Sequence, residues 1–369
     1  MRKIKKKIKV KFADIPGEKF FKNLLKKDYT LVESEDPDYL FFTLKPSIEQ
    51  KGNLRNTASG IPFLRKYASD IYQLMCRLPL FDRIFYKLFY DELKMPILRT
   101  KAKRIFYTAE NCRPDMKNCE GAFTFDYDED LKNTKHVRIP YYKIEGAGKD
   151  LIKKNIKPQE IKKDKTKFCA FIYSKNVPFR NKFFKELSKY KKVDAPGDSM
   201  RNMPPFGKQR TAKTRFIPNP TRGDWQNEKL EFLYPYKFTV AFENSSHPGY
   251  STEKIYHPML VNSIPIYWGN RKVNRDFNTR SFINYYDFEE EVKRKIPKLL
   301  LKIPGVNKII QRFVIEQRTL KKMVKRIIEI DQNDGLYFQY LKEAWYPKNK
   351  LTPYVDDEII REKIKKIIN

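Results

Sequence analysis

Hydrophobic positions along this chain form two kinds of run. The short ones, roughly four to eight residues rich in aromatic and β-branched side chains, predict strands. Ile4, Ile8, Val10 and Phe12 share one face of an extended segment, with lysines between them, which predicts a first strand at or near a sheet edge. The lysines read as a solvated edge that resists aggregation rather than as a targeting signal. Tyr39–Leu44, Arg104–Tyr107, Lys167–Ser174, Lys237–Phe242 and Ile264–Trp268 predict further strands. The other runs have helical spacing. Phe81, Ile84, Phe85, Leu88 and Phe89, between Pro79 and Pro96, predict an amphipathic helix within residues 65–95 that packs on the first domain. Leu320, Met323, Val324, Ile327 and Ile328 form a clean apolar stripe with Lys321, Lys322, Lys325 and Arg326 opposite. Ile360, Ile364, Ile367 and Ile368 mark a last basic amphipathic segment within 356–368. Residues 149–167 are polar and lysine-rich, the composition of a linker. Residues 195–228 lack periodicity and predict a long mobile connection that orders over a ligand.

The stretch Lys237–Gly269 is the most informative. A strand ends at Glu243-Asn244, and a polar loop follows with Pro248-Gly249. Ser251 or Thr252 can cap a helix with Glu253 in its first turn, where a carboxylate suits the positive end of the dipole. Pro258 falls inside that helix and is expected to kink it or to end a first short turn. Strand–loop–helix–strand units build parallel sheets, and the loop leaving such a strand favours phosphate. Glu243, Asn244, Tyr250, Glu253 and Lys254 give this loop a dense set of groups for sugar hydroxyls and phosphate. The same pattern also occurs in α/β proteins that bind no nucleotide.

Phe-Glu-Asn-Ser, Gly-Tyr, Thr-Glu-Lys and Ile-Pro-Ile-Tyr-Trp-Gly, in this order and spacing, resemble the donor-binding signature of the α1,3-fucosyltransferases. Weaker likeness extends upstream, through Phe123–Asp130 and His136–Tyr142. Thr108-Ala109-Glu110-Asn111 is similar to a Thr-Gly-Glu-Asn of the bacterial members, with Ala109 where the family has glycine. The resemblance implies an α/β chain of GT-B type, two Rossmann-like domains facing across a cleft. Residues 1–155 would form an acceptor-binding domain, 156–346 a GDP-fucose-binding domain and 347–369 a basic amphipathic tail. It implies an inverting transfer of L-fucose from GDP-L-fucose to a glycan hydroxyl, O3 of N-acetylglucosamine or glucose. Arg180, at a helix start after a strand, and Lys254 would hold the diphosphate. Glu253 would meet fucose or ribose hydroxyls and the positive charge that develops, and Asn244 and Tyr250 would touch the donor. Glu243 would position the loop and Glu110 would be the general base. No cofactor or metal is required on this reading.

Composition adds partners and alternatives. The chain has 369 residues, net charge +32, 40% hydrophobic and 14% aromatic residues, enough for two cored domains with a surface that attracts polyanions. A basic polyanion-binding protein without chemistry is therefore one alternative, and a family relative using another nucleotide sugar is a second. Specific nucleic-acid binding is not expected. Cys76, Cys112, Cys119 and Cys169 form no CxxC pair, so neither a zinc site nor a disulfide framework is expected, and a cytoplasmic location is. Asp126 and Asp128 have the spacing of an Asp-x-Asp metal motif but read as part of a connecting loop. No run is long and apolar enough to span a bilayer, which resembles the bacterial rather than the Golgi members of the family. The stripes within 299–328 and 356–368 predict peripheral attachment to an anionic membrane surface.

Overall fold

The computed structural model describes residues 5–13, 15–43, 101–113, 116, 119–205, 225–303 and 305–369. The helix expected within 65–95 and most of the connection expected over 195–228 lie outside the described residues. The chain divides into two compact units, Met1–Ile144 with Asp356–Asn369, and Glu145–Val355.

The first unit is built on β1 (Lys6–Ala13), β2 (Tyr29–Glu33), β3 (Tyr39–Phe42), β4 (Lys103–Tyr107), β5 (Gly121–Thr124) and β6 (His136–Arg138). They form one sheet in the order β2-β1-β3-β4-β5-β6, with every pairing parallel. β1 is not an edge. It pairs with the edge strand β2 on one side and β3 on the other, so it lies next to the sheet edge, within the expectation of a strand at or near one. The alternation of lysine and apolar residues reports faces: Lys7 and Lys9 are exposed while Ile8 and Val10 are buried. Helix α1 (Glu18–Leu25) buries Phe21, Leu24 and Leu25 on the sheet, with Phe21 edge-on to Tyr107 at 5.0 Å between ring centroids.

The second unit holds β7 (Lys167–Ala170), β8 (Val193–Asp194), β9 (Tyr236–Phe242), β10 (Ile264–Trp268) and β11 (Ile283–Asn284), in the order β11-β10-β9-β7-β8, again all parallel. Its helices include α2 (Pro178–Ser188), α3 (Trp225–Leu233), α4 (Glu253–Leu260), α5 (Tyr285–Arg294), α6 (Lys298–Lys302), α7 (Val306–Ile309), α8 (Glu316–Gln332) and α9 (Asp334–Lys342). Leu320, Met323, Ile327 and Ile330 of α8 are buried in the same core as Phe238, Val240 and Ile266 of the sheet. The α8 stripe therefore covers sheet, not lipid.

The last helix, α10 (Asp357–Ile368), belongs to the first unit. Asp356 caps it, accepting from Glu358 N at 2.9 Å and Ile359 N at 3.3 Å. Ile360, Ile364 and Ile368 are buried among Ile8, Phe41, Ile105 and Phe123. A side chain at Gly121 would bring its Cβ to 2.6 Å from Ile367 Cγ2, so the helix approaches the sheet as closely as only glycine permits. Residues 347–369 are thus no separate tail, and their apolar stripe is a core face. Both amphipathic stripes obey helical spacing, and spacing alone does not say what covers a stripe.

Candidate active site

Topology marks one place in the second sheet. From β7 the chain crosses to β8 on one side and later returns through β9 on the other, so connections diverge between the carboxyl ends of β7 and β9. In open parallel sheets that divergence opens the ligand crevice. Arg180 and Asn244 meet there. Arg180 lies in the first turn of α2, just after β7, and is 1% exposed. Its guanidinium lies 4.0 Å from the centre of the Tyr173 ring, and its Nη2 donates to Asn244 Oδ1 at 2.5 Å. Tyr173 is itself fixed, its hydroxyl donating to the Val240 carbonyl at 2.9 Å and accepting from Phe242 N at 2.7 Å. Arg180 Nε is buried without a hydrogen-bond partner, and among the described residues no carboxylate pairs with this guanidinium. A buried cation without a counter-charge is costly, and an anion bound at the crevice would relieve it.

The loop from β9 to α4 carries the rest. Thr252 caps α4, its Oγ1 accepting from Lys254 N at 3.4 Å. Thr252 also ties the loop down, donating from its backbone N at 2.8 Å and from its hydroxyl at 2.7 Å to the fully buried carboxylate of Glu243. Burial pushes the Glu243 carboxyl above the usual range, against the pull of Lys254 at 3.7 Å. Gly269 makes room for it: a Cβ there would lie 2.3 Å from Glu243 Cγ. Lys254 Nζ stands 3.5 Å from Glu253 Oε1, and Lys229 Nζ stands 3.6 Å from the same oxygen. Burial alone would raise the Glu253 carboxyl, but Lys254 and Lys229 outweigh it and hold the group ionised, well below the usual range. Tyr250 is buried, 2% exposed, directly after Gly249, whose φ of +87° admits little else. Pro258 does not end α4, which runs from Glu253 to Leu260.

The site residues expected on the second unit therefore gather at one strand end. Arg180 reaches Asn244, and Glu243, Thr252, Glu253 and Lys254 form a contiguous polar cluster one residue away along β9. Glu110 lies on the first unit, just past β4, with its N–H donating to Thr108 Oγ1 at 3.1 Å. Asp126 and Asp128 are engaged structurally. Asp126 pairs with Arg113 at 3.1 Å, and Asp128 accepts from His136 at 2.8 Å and Lys363 at 2.7 Å. Among the described residues no group of three His, Cys, Asp or Glu side chains could hold a metal ion.

Sequence reasoning missed the residues that shape this cluster from a distance. Lys229 on α3 is buried, and burial lowers its affinity for a proton. His257, one turn along α4 from Glu253, is fully buried with neither ring nitrogen hydrogen-bonded, and burial holds its basicity far below normal, so it is neutral. Asn270 pins the loop, accepting from Gly249 N at 2.7 Å and donating to Ser251 Oγ at 3.1 Å. Tyr286 reaches across from α5, donating to the Gly269 carbonyl at 2.7 Å and bonding Ser246 Oγ at 2.8 Å. Only the i, i+4 spacing of Glu253 and His257 was visible in the sequence.

Comparison with known proteins gives a consistent result. Residues 162–305 match the sequence model described as glycosyltransferase family 10 (fucosyltransferase), C-terminal, and residues 71–145 match that of the α-(1,3)-fucosyltransferase FucT N-terminal domain. The chain is 33% identical over 220 residues to the α-(1,3)-fucosyltransferase FucT of Helicobacter pylori, an alignment covering 51% of this chain and 42% of that protein. It is 36% identical over 223 residues to R654 of Acanthamoeba polyphaga mimivirus, a protein provisionally named a fucosyltransferase, covering 60% of this chain and 31% of that one. The alignments thus span less than half the length of these relatives. Among solved structures, an α1,3-fucosyltransferase superposes with a TM-score of 0.60 at 20% identity, covering 100% of this chain and 92% of the other. An α1,3-fucosyltransferase with GDP-fucose superposes with the same score of 0.60 at 19% identity. This likeness identifies the fold as the GT-B type, with one Rossmann-like parallel sheet in each unit.

Proposed function

Because the chain belongs to glycosyltransferase family 10, the fucosyltransferases, we propose that it transfers L-fucose from GDP-L-fucose to a hydroxyl of an acceptor glycan, with inversion at the anomeric carbon. O3 of N-acetylglucosamine or glucose is the acceptor position proposed. The observation that carries the reading is Arg180, a buried guanidinium with no carboxylate partner among the described residues, at the sheet position where nucleotides bind. In the reaction the acceptor oxygen forms a bond to the fucose anomeric carbon as the bond from that carbon to the β-phosphate oxygen breaks. GDP leaves with the electron pair, and the acceptor proton passes to the Glu110 carboxylate. Arg180 and Lys254 neutralise the charge that grows on the diphosphate. Glu253, held ionised by Lys254 and Lys229, offers negative charge to the sugar carbon and acceptor sites to its hydroxyls. Asn244 and Tyr250 bind the donor, and Glu243 sets the loop.

No divalent metal is required on this proposal, since two side-chain cations serve the diphosphate. Transfer should survive a chelator; activity abolished by chelation and restored by manganese would sink that part. A reducing, cytoplasmic location belongs to the same proposal, supported by a sequence with four cysteines and no CxxC pair. Peripheral attachment to an anionic membrane surface belongs to the same proposal, supported by the net charge of +32. The deciding experiment is calorimetric titration with GDP, ADP and UDP, followed by a glycan-array transfer assay with GDP-fucose and product anomers read by NMR. Equal binding of the three nucleotides, or no transfer to any glycan, would overturn the assignment.

A further inference from the structure

Five of the seven exposed large hydrophobic side chains among the described residues fall in one short stretch: Leu299 (72% exposed), Leu300, Ile303, Ile309 (60%) and Phe313 (58%). The stretch comprises α6, α7 and the π-helical turn Ile310–Ile315. It has an inner face of its own. Leu301, Ile310 and Val314 pack on Val292, Ile296 and Ile315, so the segment is folded and its remaining apolar residues point outward. Solvent-facing leucine, isoleucine and phenylalanine at this density are what an interaction surface presents.

The charge around them identifies the partner. No acidic residue occurs between Glu291 and Glu316. Lys298, Lys302, Lys308 and Arg312 alternate with the exposed apolar residues, and among the described residues none of the four has an ion-pair partner. Several basic residues near the stretch are paired, by contrast: Lys293 with Glu289 at 2.9 Å, Lys322 with Glu291 at 2.5 Å, Lys182 with Glu316 at 2.8 Å. Unpaired cations interleaved with outward apolar side chains fit a surface that is anionic outside and apolar just beneath.

We propose that residues 298–313 are the segment by which this protein docks on an anionic lipid bilayer. The apolar residues enter the headgroup boundary while the four cations lie on the phosphates. The inference rests on the peripheral attachment proposed above and assigns it to one place. It also moves the attachment away from α8 and α10, whose stripes are buried in the two cores. None of the proposed donor-site residues lies in the segment, so docking and nucleotide binding can be perturbed separately.

The test is co-sedimentation of the full chain with vesicles of phosphatidylcholine alone and of phosphatidylcholine with phosphatidylglycerol. The parent should bind only the anionic vesicles, and less at high salt. A Leu299→Ser, Ile309→Ser, Phe313→Ser triple variant, and separately a Lys298→Gln, Lys302→Gln, Lys308→Gln variant, should each lose about tenfold or more in partition. Both should keep the parent's melting temperature and GDP affinity. A Phe313→Trp variant should be quenched by brominated anionic lipid. A parent that ignores anionic vesicles ends both the attachment and its assignment. Vesicle binding that survives the two triple variants, with the Phe313→Trp fluorescence unquenched, ends the assignment alone. A dimer that the Leu299→Ser, Ile309→Ser, Phe313→Ser variant dissociates would give the face to a second copy of the chain and overturn the lipid reading. Fucosyl transfer itself stands or falls elsewhere.

Discussion

Arg180 shows what a single residue's surroundings add to its place in the sequence. Position after a strand selected it from many arginines, but its worth comes from Tyr173 beneath it and Asn244 beside it, brought in from elsewhere in the chain, and from having no carboxylate partner among the described residues. Removing a charge-assisted contact to a diphosphate costs about 1.5–3 kcal/mol. Arg180→Ala should therefore weaken GDP binding by roughly ten- to a hundredfold, measured by titration. Glu110→Gln keeps the size and removes the basicity. Transfer should fall by about a hundredfold or more while GDP affinity and melting temperature stay at the parent's values. A Glu110→Gln enzyme working at near-parent rate would send the search for the base to other carboxylates. The loop chemistry around Thr252 was legible because capping is local. The Lys229 and Asn270 supports were not, since nothing near them in sequence marks what they touch.

At the scale of elements, periodicity named the strands and helices well and their neighbours poorly. β1 was legible as a strand near a sheet edge, yet the edge strand itself, the five-residue β2, was not. The stripe of α8 was legible, and its burial was not. One acidic residue ties that helix to its sheet. Asp331 accepts from Lys237 Nζ at 2.8 Å and Tyr190 at 3.0 Å, and also pairs with Lys191. Burial would raise its carboxyl, but Lys191 and Lys237 prevail and hold it below the ordinary value. A carboxyl lowered by folding contributes stability above its unfolded pKa of about 3.9 and loses it as the pH falls through the folded value. Asp331→Asn should then cost about 1–3 kcal/mol at neutral pH. The gap from the parent should close in acid, in denaturant titrations across that range. A gap that stays constant with pH would mean that the ion pairs contribute nothing.

For the molecule as a whole, the second unit is inserted into the first: strands β1 to β6 precede it and α10 follows it. Sequence composition could not show this, because a basic amphipathic helix reads the same whether it is loose or docked. Ile364 is 2% exposed in the first unit's core, so Ile364→Ala should destabilise that unit by about 2–5 kcal/mol. GDP affinity, proposed to depend on the second unit, should hold. Calorimetry in the presence of GDP would separate the two: the nucleotide should raise the melting of the second unit without restoring the first.

That insertion also sets an order of events at the ribosome. Domains ordinarily fold in the order in which they are made. Here the unit whose strands emerge first cannot close its core until residues 357–368 have been synthesised, after every residue of the other unit. The second unit is free to fold while its elder neighbour still waits with Ile8, Phe41, Ile105 and Phe123 uncovered. Messages cut short before Asp356 should yield a nascent chain with one finished half and one adhesive half, a natural client for chaperones.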